Sequence, residues 1–225
     1  HTTSVEGLLG GRSPHVPGEV ALAHGGTLFL DETLEFRRPV LQGLREPLEN
    51  GRVTVSRAGV RYWFPARIQL LLATNRCPCG MLGRSDRACL CSVHDVDRYW
   101  RKLGGPLLDR IDLRIDVPPR PLDELPQTES SDSLAGQVRR ARAVRHARGQ
   151  AVRNSELRAS QAYEVCALSA AGRALVSRAA RAFGLSTRAS LSVLRVSRTI
   201  ADLAGSDRVE DDHVLEAVSY RRYGE

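Results

Sequence analysis

Lysine is almost missing from this sequence. Of 33 basic residues in a chain of 225, Lys102 alone is lysine and the others are arginine. One motif is excluded outright. The phosphate-cradling loop G-x-x-x-x-G-K-[ST] needs its lysine in that setting, and Lys102 stands in "WRKLGG". No apolar run approaches the roughly 18 residues that a membrane-spanning helix needs, so no membrane partner is expected. The chain begins with His1 rather than Met, and no charged-then-apolar segment opens it. It reads as a piece of a longer cytoplasmic protein.

What is present is a soluble-type composition, 42% hydrophobic with 26% charged residues and a net charge of +7. The length allows one large domain or two small ones with a proper core. The basic excess permits a polyanionic partner without establishing one, since an arginine skew also follows genome composition. Four of the five cysteines fall between Cys77 and Cys91. In a cytosolic chain such a cluster points to a metal or to local packing rather than to a secreted disulfide framework.

Along the chain, residues 1–26 are rich in Gly, Ser, Thr and His and read mostly as loop. "TLFLDE" follows as a short strand, dry on both faces, that ends in two adjacent acids. "EFRRPVLQGLREPLENG" places Phe36, Val40, Leu41, Leu44 and Leu48 at helical spacing, with Gly51 as its stop. "RVTVSRAGVRYWFPA" switches to period two around Arg57-Ala58-Gly59 and predicts a β-hairpin. "RIQLLLATN" is a second apolar strand. Two such runs joined through a helix favour a parallel sheet covered on both faces, with Asp31, Glu32 and Asn75 at its carboxyl edge. "RIDLRIDVPP" predicts one more strand. "PRPLDELPQTESSD", residues 119–132, reads as a linker. Helices are expected over 133–149, 156–166, 169–183, 187–203 and 209–220. The fold class is α/β followed by an all-helical part, with domains at 1–118 and 133–225.

An Asp at a strand end can hold Mg²⁺ beside nucleotide phosphates, and a neighbouring Glu can deprotonate an attacking water. Strand-end acids also serve as plain caps and turn residues, and the pattern by itself leaves both readings open. The cysteines form C-x-C-x₉-C-x-C, from Cys77, Cys79, Cys89 and Cys91. Four thiolates can hold Zn²⁺ tetrahedrally; reduced thiols or an oxidised pair are the alternatives. His94 is a fifth candidate ligand, Cys166 reads as core and His24 as structural.

Longer stretches narrow the choice. "PGEVALAHGGTLFLDE", "LREPLENGRVTVSRAG", "PARIQLLLATNRCPCG", "GGPLLDRIDLRIDVP" and "LSTRASLSVLRVSRTIADLAG" occur in one order. Together they resemble the magnesium-chelatase-like AAA+ proteins, in particular their bacterial competence-type branch, across essentially the whole chain. The resemblance implies a partial AAA+ core with a helical lid, in an ATPase that uses ATP and Mg²⁺ and assembles as a ring, usually a hexamer. It further implies action on DNA as a branch-migration helicase during natural transformation. The alternatives are a chelatase-type motor subunit acting on a protein and porphyrin partner, and a zinc-stabilised interaction module.

Carried over position by position, Asp31 and Glu32 match the Walker B pair, Asn75 sensor 1, Arg110 the arginine finger and Arg188 the sensor 2 arginine that meets nucleotide. The hairpin matches the pre-sensor 1 hairpin. Arg52, Arg57 and Arg61 would then meet DNA phosphates, and Tyr62 or Trp63 would stack on a base; a solvated hairpin is the alternative. The family's Walker A is expected upstream of His1, so this chain alone is not expected to hydrolyse ATP. Two departures stand next to the catalytic edge: "LDETLEF" lacks the usual Leu-Pro after Glu, and "TNRCPCG" lacks the usual Pro after Asn.

Overall fold

Short helices α1, Val5–Leu9, and α2, Glu19–Leu22, lead into strand β1, Thr27–Leu30. The computed structural model describes residues 3–11, 16–57, 59–84, 86–118 and 129–221. The chain divides into two compact units, His1–Arg110 and Ile111–Glu225. Gly18 is needed where α2 begins: a Cβ there would lie 2.3 Å from the backbone N of Gly10 and 2.4 Å from the Leu8 carbonyl oxygen. The close approach accompanies a bridge between Gly10 and Pro17.

In the first unit β1 pairs in parallel with β4, Gln69–Leu72, in the register Thr27 to Gln69 through Leu30 to Leu72. The expectation of a sheet dry on both faces is not met. Leu28 and Leu30 are buried, but Phe29 and Leu71 on the other face are 58% and 46% exposed. Strand alternation decides this: one row of side chains packs on the core with Leu34, Val40, Leu41, Leu44, Val53 and Leu107, and no described element covers the other row.

The helical run after β1 is two helices rather than one, α3, Arg38–Gly43, and α4, Arg45–Asn50, which meet at Leu44. Pro39 sits harmlessly in the first turn of α3. Pro47 has no N–H for the carbonyl of Gly43 and its ring crowds that carbonyl, which breaks the ladder there. Gly51 then adopts φ 64° and closes α4 by donating its N–H to the Pro47 carbonyl at 2.9 Å.

The hairpin forms as expected from β2, Arg52–Arg57, and β3, Val60–Pro65, antiparallel with Val55 opposite Tyr62 and Arg52 opposite Pro65. After β4 come α5, Val93–Trp100, and α6, Gly104–Leu108. Ser92 and Asp95 form a reciprocal capping box at the start of α5.

The second unit is helical: α7, Ser131–Ala147; α8, Ala159–Cys166; α9, Ala170–Ala182; α10, Thr187–Leu203; and α11, Asp211–Ser219. Ser130, Ser169 and Ser186 cap α7, α9 and α10, each accepting the backbone N–H three residues on. Helix α10 is the axis of the unit. Ala189, Ser192, Val193, Leu194, Ser197, Arg198, Ala201 and Asp202 are its buried residues, a 3.6-residue repeat wide enough to meet neighbours on several sides. Cys166 is core, as expected, and its thiol donates to the Leu194 carbonyl at 3.3 Å.

The strand expected over "RIDLRIDV" is absent: residues 111–118 form no ladder among the described residues. The segment belongs instead to the helical unit, where Arg114 N–H donates to the Tyr220 carbonyl at 3.0 Å, and Arg221 donates to the Ile111 carbonyl. Residues 119–128 of the expected linker lie outside the described residues, and α7 begins at Ser131 within its last part. Among the described residues no helix is long and apolar enough to cross a membrane. The architecture is α/β with a small parallel sheet and a hairpin, followed by a helical domain, in keeping with a partial AAA+ core and its lid.

Candidate functional site

Parallel pairing continues one step beyond the strands. Ala73 N–H donates to the Leu30 carbonyl at 3.0 Å and Thr33 N–H to the Ala73 carbonyl at 2.9 Å. Asp31 and Glu32 are therefore held beside Ala73, two residues before Asn75, and all three polar side chains are exposed at one edge. Between them the backbone turns sharply. Glu32 lies at φ 48°, ψ 44°, one of two non-glycine residues at positive φ among those described. The conformation costs of order 1 kcal/mol or more for a residue with a Cβ, so neighbouring contacts must impose it. Those contacts are visible. The Asp31 carboxylate accepts the Glu32 N–H at 2.9 Å, the buried Thr33 hydroxyl donates to the Leu30 carbonyl at 2.8 Å, and Leu34 is fully buried.

The single lysine is used here, and not for phosphate. Lys102 Nζ donates to the Leu34 carbonyl and lies 5.5 Å from the Tyr99 ring centroid. It pins the turn after Glu32 to the end of α5, a role that no sequence motif signals.

Asn75 is fixed from behind. Trp100 Nε1 donates to the Arg76 carbonyl at 3.0 Å, and Thr74 Oγ1 lies 3.4 Å from the Tyr99 hydroxyl. Directly after it the four cysteines converge. All four Sγ atoms lie within 4.8 Å of one another, with Cys77 to Cys79 at 3.4 Å and Cys89 at 3.6 Å from both. Tetrahedral Zn–S bonds of about 2.3 Å put sulfurs about 3.8 Å apart, so the spacing suits a metal. It is far from the ~2.05 Å of a disulfide, and all five cysteines are free.

Further features suit thiolate ligands. Leu82 N–H points at Cys77 Sγ at 3.3 Å, in a turn closed by Gly80 N–H on the Cys77 carbonyl. The Cys79 thiol is lowered to about 6 by a hydrogen bond from the Met81 backbone, helped by the Cys77 and Cys91 thiols. Cys91 is pushed up to about 12: a backbone hydrogen bond from Cys79 lowers it, but the Cys79 thiolate, burial and the other two thiols outweigh that. Cys79 thus favours the anion while Cys89 and Cys91 resist joining it, the situation a divalent cation relieves. His94 is not part of the group. His24 is structural, its Nδ1 accepting the Arg67 N–H at 3.0 Å.

Arg110 follows α6 and is engaged within its own chain. Its Nη2 donates to the Glu49 carboxylate and its Nη1 to the Pro106 carbonyl. Arg188 is exposed in the first turn of α10, in the helical unit. On the hairpin, register puts Arg52, Thr54, Ser56, Arg61 and Trp63 on one face. Trp63 is 65% exposed, whereas Tyr62 is half-buried on the other face with Val55, so the indole is the better stacking surface. The Arg57 side chain lies outside the described residues. Nothing local in the sequence singles out Glu49, whose partner is 61 residues away; its one signal is its place just ahead of the hairpin.

The comparisons with known proteins agree with this architecture. A family model described as magnesium chelatase, subunit ChlI, matches residues 1–125, and one for the ChlI C-terminal region matches residues 128–221. Competence protein ComM of Haemophilus influenzae is 39% identical over 226 residues, covering 98% of this chain and 44% of its own. The uncharacterized protein YifB of Escherichia coli is 38% identical over 226 residues with the same coverage. The uncharacterized protein Rv2897c of Mycobacterium tuberculosis is 37% identical over 232 residues, covering 100% of this chain and 45% of its own. The chain spans less than half the length of these relatives. With the two ChlI models together matching residues 1–125 and 128–221, the chain belongs to the magnesium chelatase subunit ChlI family.

Proposed function

We propose that this chain is part of a ring-forming, hexameric AAA+ ATPase motor that couples ATP hydrolysis to DNA remodelling of the branch-migration kind.

 The observation that carries this reading is the strained Glu32 beside Asp31 at a parallel strand end, with Asn75 at the end of the neighbouring strand. Exposed carboxylates at a strand terminus are a fitting donor set for a hard divalent cation. Asp31 would hold Mg²⁺, which when bound neutralises charge on the nucleotide phosphates. Glu32 accepts the proton of the attacking water, and Asn75 orients that water by hydrogen bonding. Arg110, delivered to a neighbouring subunit in the ring, offsets charge on the transferred phosphoryl group, and Arg188 meets nucleotide from the helical lid. The phosphate-cradling loop is absent from this sequence, so turnover is assigned to protein extended upstream to the length of the matched relatives.

The Arg52, Arg61 and Trp63 face supports DNA contact by the hairpin: two guanidinium groups for phosphates and one indole for a base. Arg57, at the end of β2, is proposed as a further phosphate contact on the motif alone. The four cysteines hold one Zn²⁺, which staples the loop behind Asn75. The competence name of the Haemophilus influenzae relative supports the DNA reading. The description of the family model supports the second, a chelatase-type motor subunit. Subunit mixing tests the first step. In the extended protein, Arg110→Ala is expected to lose turnover by about 10³-fold or more while still binding nucleotide, and mixing with Glu32→Gln subunits is expected to restore part of it. Wild-type turnover in Arg110→Ala refutes the assignment.

A further inference from the structure

Arg110 is poorly placed to act on another subunit as it stands. Its side chain is only 10% exposed, its two terminal nitrogens bind Glu49 and Pro106, and its Nε is buried without a hydrogen-bond partner. An arginine that works across an interface must present its guanidinium outward. A release or reorientation therefore separates this arrangement from the acting one. The holding carboxylate is 43% exposed, which keeps the pair within reach of water and easily exchanged.

The position of Glu49 says what could drive the exchange. It lies in the last turn of α4, and Gly51, two residues on, is the junction of both hairpin strands. Strand β2 leaves directly from Gly51, and β3 returns to it through Ala66, whose N–H donates to the Gly51 carbonyl at 2.8 Å. A Cβ on Gly51 would lie 3.0 Å from Arg67 Cγ, so the junction is tightly packed. Glu49 therefore stands two residues from the point where both hairpin strands meet the rest of the unit.

We infer that the Glu49–Arg110 ion pair is a latch that links DNA on the hairpin to delivery of Arg110. Glu49 is a positioning residue in this scheme. With the hairpin empty, its carboxylate keeps the guanidinium in its own subunit; phosphates drawn to Arg52 and Arg61 shift the hairpin foot and free it. The inference rests on the proposed reading of Arg110 and of the hairpin.

The test is ATP turnover of the extended protein with and without a tailed duplex DNA, comparing wild type, Glu49→Gln, Glu49→Asp and Arg110→Ala. The amide keeps the shape of the carboxylate and removes its charge. Glu49→Gln is expected to raise DNA-free turnover several-fold, inside the about 5–150-fold range of such couplings, and to bring the ratio with and without DNA towards one. Glu49→Asp, which keeps the charge, is expected to retain stimulation by DNA. Low DNA-free turnover with full stimulation in Glu49→Gln overturns the latch, as does loss of all turnover in both Glu49 variants. Absence of DNA stimulation in the wild type overturns it too. Turnover surviving in Arg110→Ala refutes the underlying assignment of Arg110 instead, so the two failures are told apart.

Discussion

Replacing Asp202 with alanine removes the one carboxylate bonded to Arg198 among the described residues. Arg198 is fully buried, with Nε and Nη2 at 3.1 and 3.0 Å from Asp202 Oδ1 and its remaining donors on the Ser206 and Asp207 carbonyls. The same carboxylate receives Arg148 at 2.8 and 3.2 Å and Asn154 at 2.8 Å. These losses are unequal. Arg148 is 20% exposed and can turn to water. Arg198 cannot, and is left charged in the core with neutral partners only. An uncompensated buried charge of this kind costs about 3–5 kcal/mol. At roughly 4 °C per kcal/mol for a domain of about this size, the helical unit is expected to melt some 12–20 °C lower. Circular dichroism of urea and thermal unfolding measures it, with the helices dominating the signal. The double variant Arg198→Met with Asp202→Leu is expected to lose less than Asp202→Ala alone, because no charge stays behind. A loss under about 1 kcal/mol for Asp202→Ala, the range of an exposed pair, refutes the reasoning.

Elemental analysis of protein purified without chelator is expected to find one zinc per chain; a disulfide among the four cysteines with no metal contradicts the site. Cys77→Ser, at the buried ligand, is expected to lower zinc content and the melting temperature of the first unit together. On the hairpin, Arg52→Ala with Arg61→Ala in the extended protein is expected to weaken DNA binding alike across sequences. It should flatten the log–log salt dependence by roughly one unit per lost contact, with folding stability changed by less than about 0.5 kcal/mol. An unchanged salt slope removes DNA from the hairpin.

Local periodicity was the most legible layer of the sequence. "TLFL" and "QLLL" read as strands and pair in parallel, and the period-two run around Arg57-Ala58-Gly59 gives the hairpin register. Serines ahead of apolar repeats mark the starts of α9 and α10. What failed depended on partners distant in sequence. Alternation in "RIDLRIDV" fits a strand, but a strand needs a neighbour to bond, and here the Arg114 N–H goes to Tyr220 and the Ile111 carbonyl to Arg221. "TLFL" is apolar throughout, which cannot say that Phe29 faces solvent. Pro47, by contrast, is a local signal: it breaks the single helix that the leucine spacing predicts. At the candidate site, the residue types and their shared strand edge were readable from motif and order, whereas the backbone strain at Glu32, the Lys102 pin and the capture of Arg110 by Glu49 are set by packing.

The most direct test of the central claim is Glu32→Gln in the upstream-extended protein, read as ATP hydrolysis and nucleotide affinity side by side. The amide keeps the size of the side chain and cannot take a proton from water. Hydrolysis is expected to fall by about 10²-fold or more, with affinity for ATP and Mg²⁺ little changed. Hydrolysis that persists in Glu32→Gln, or falls only in step with nucleotide affinity, contradicts the account.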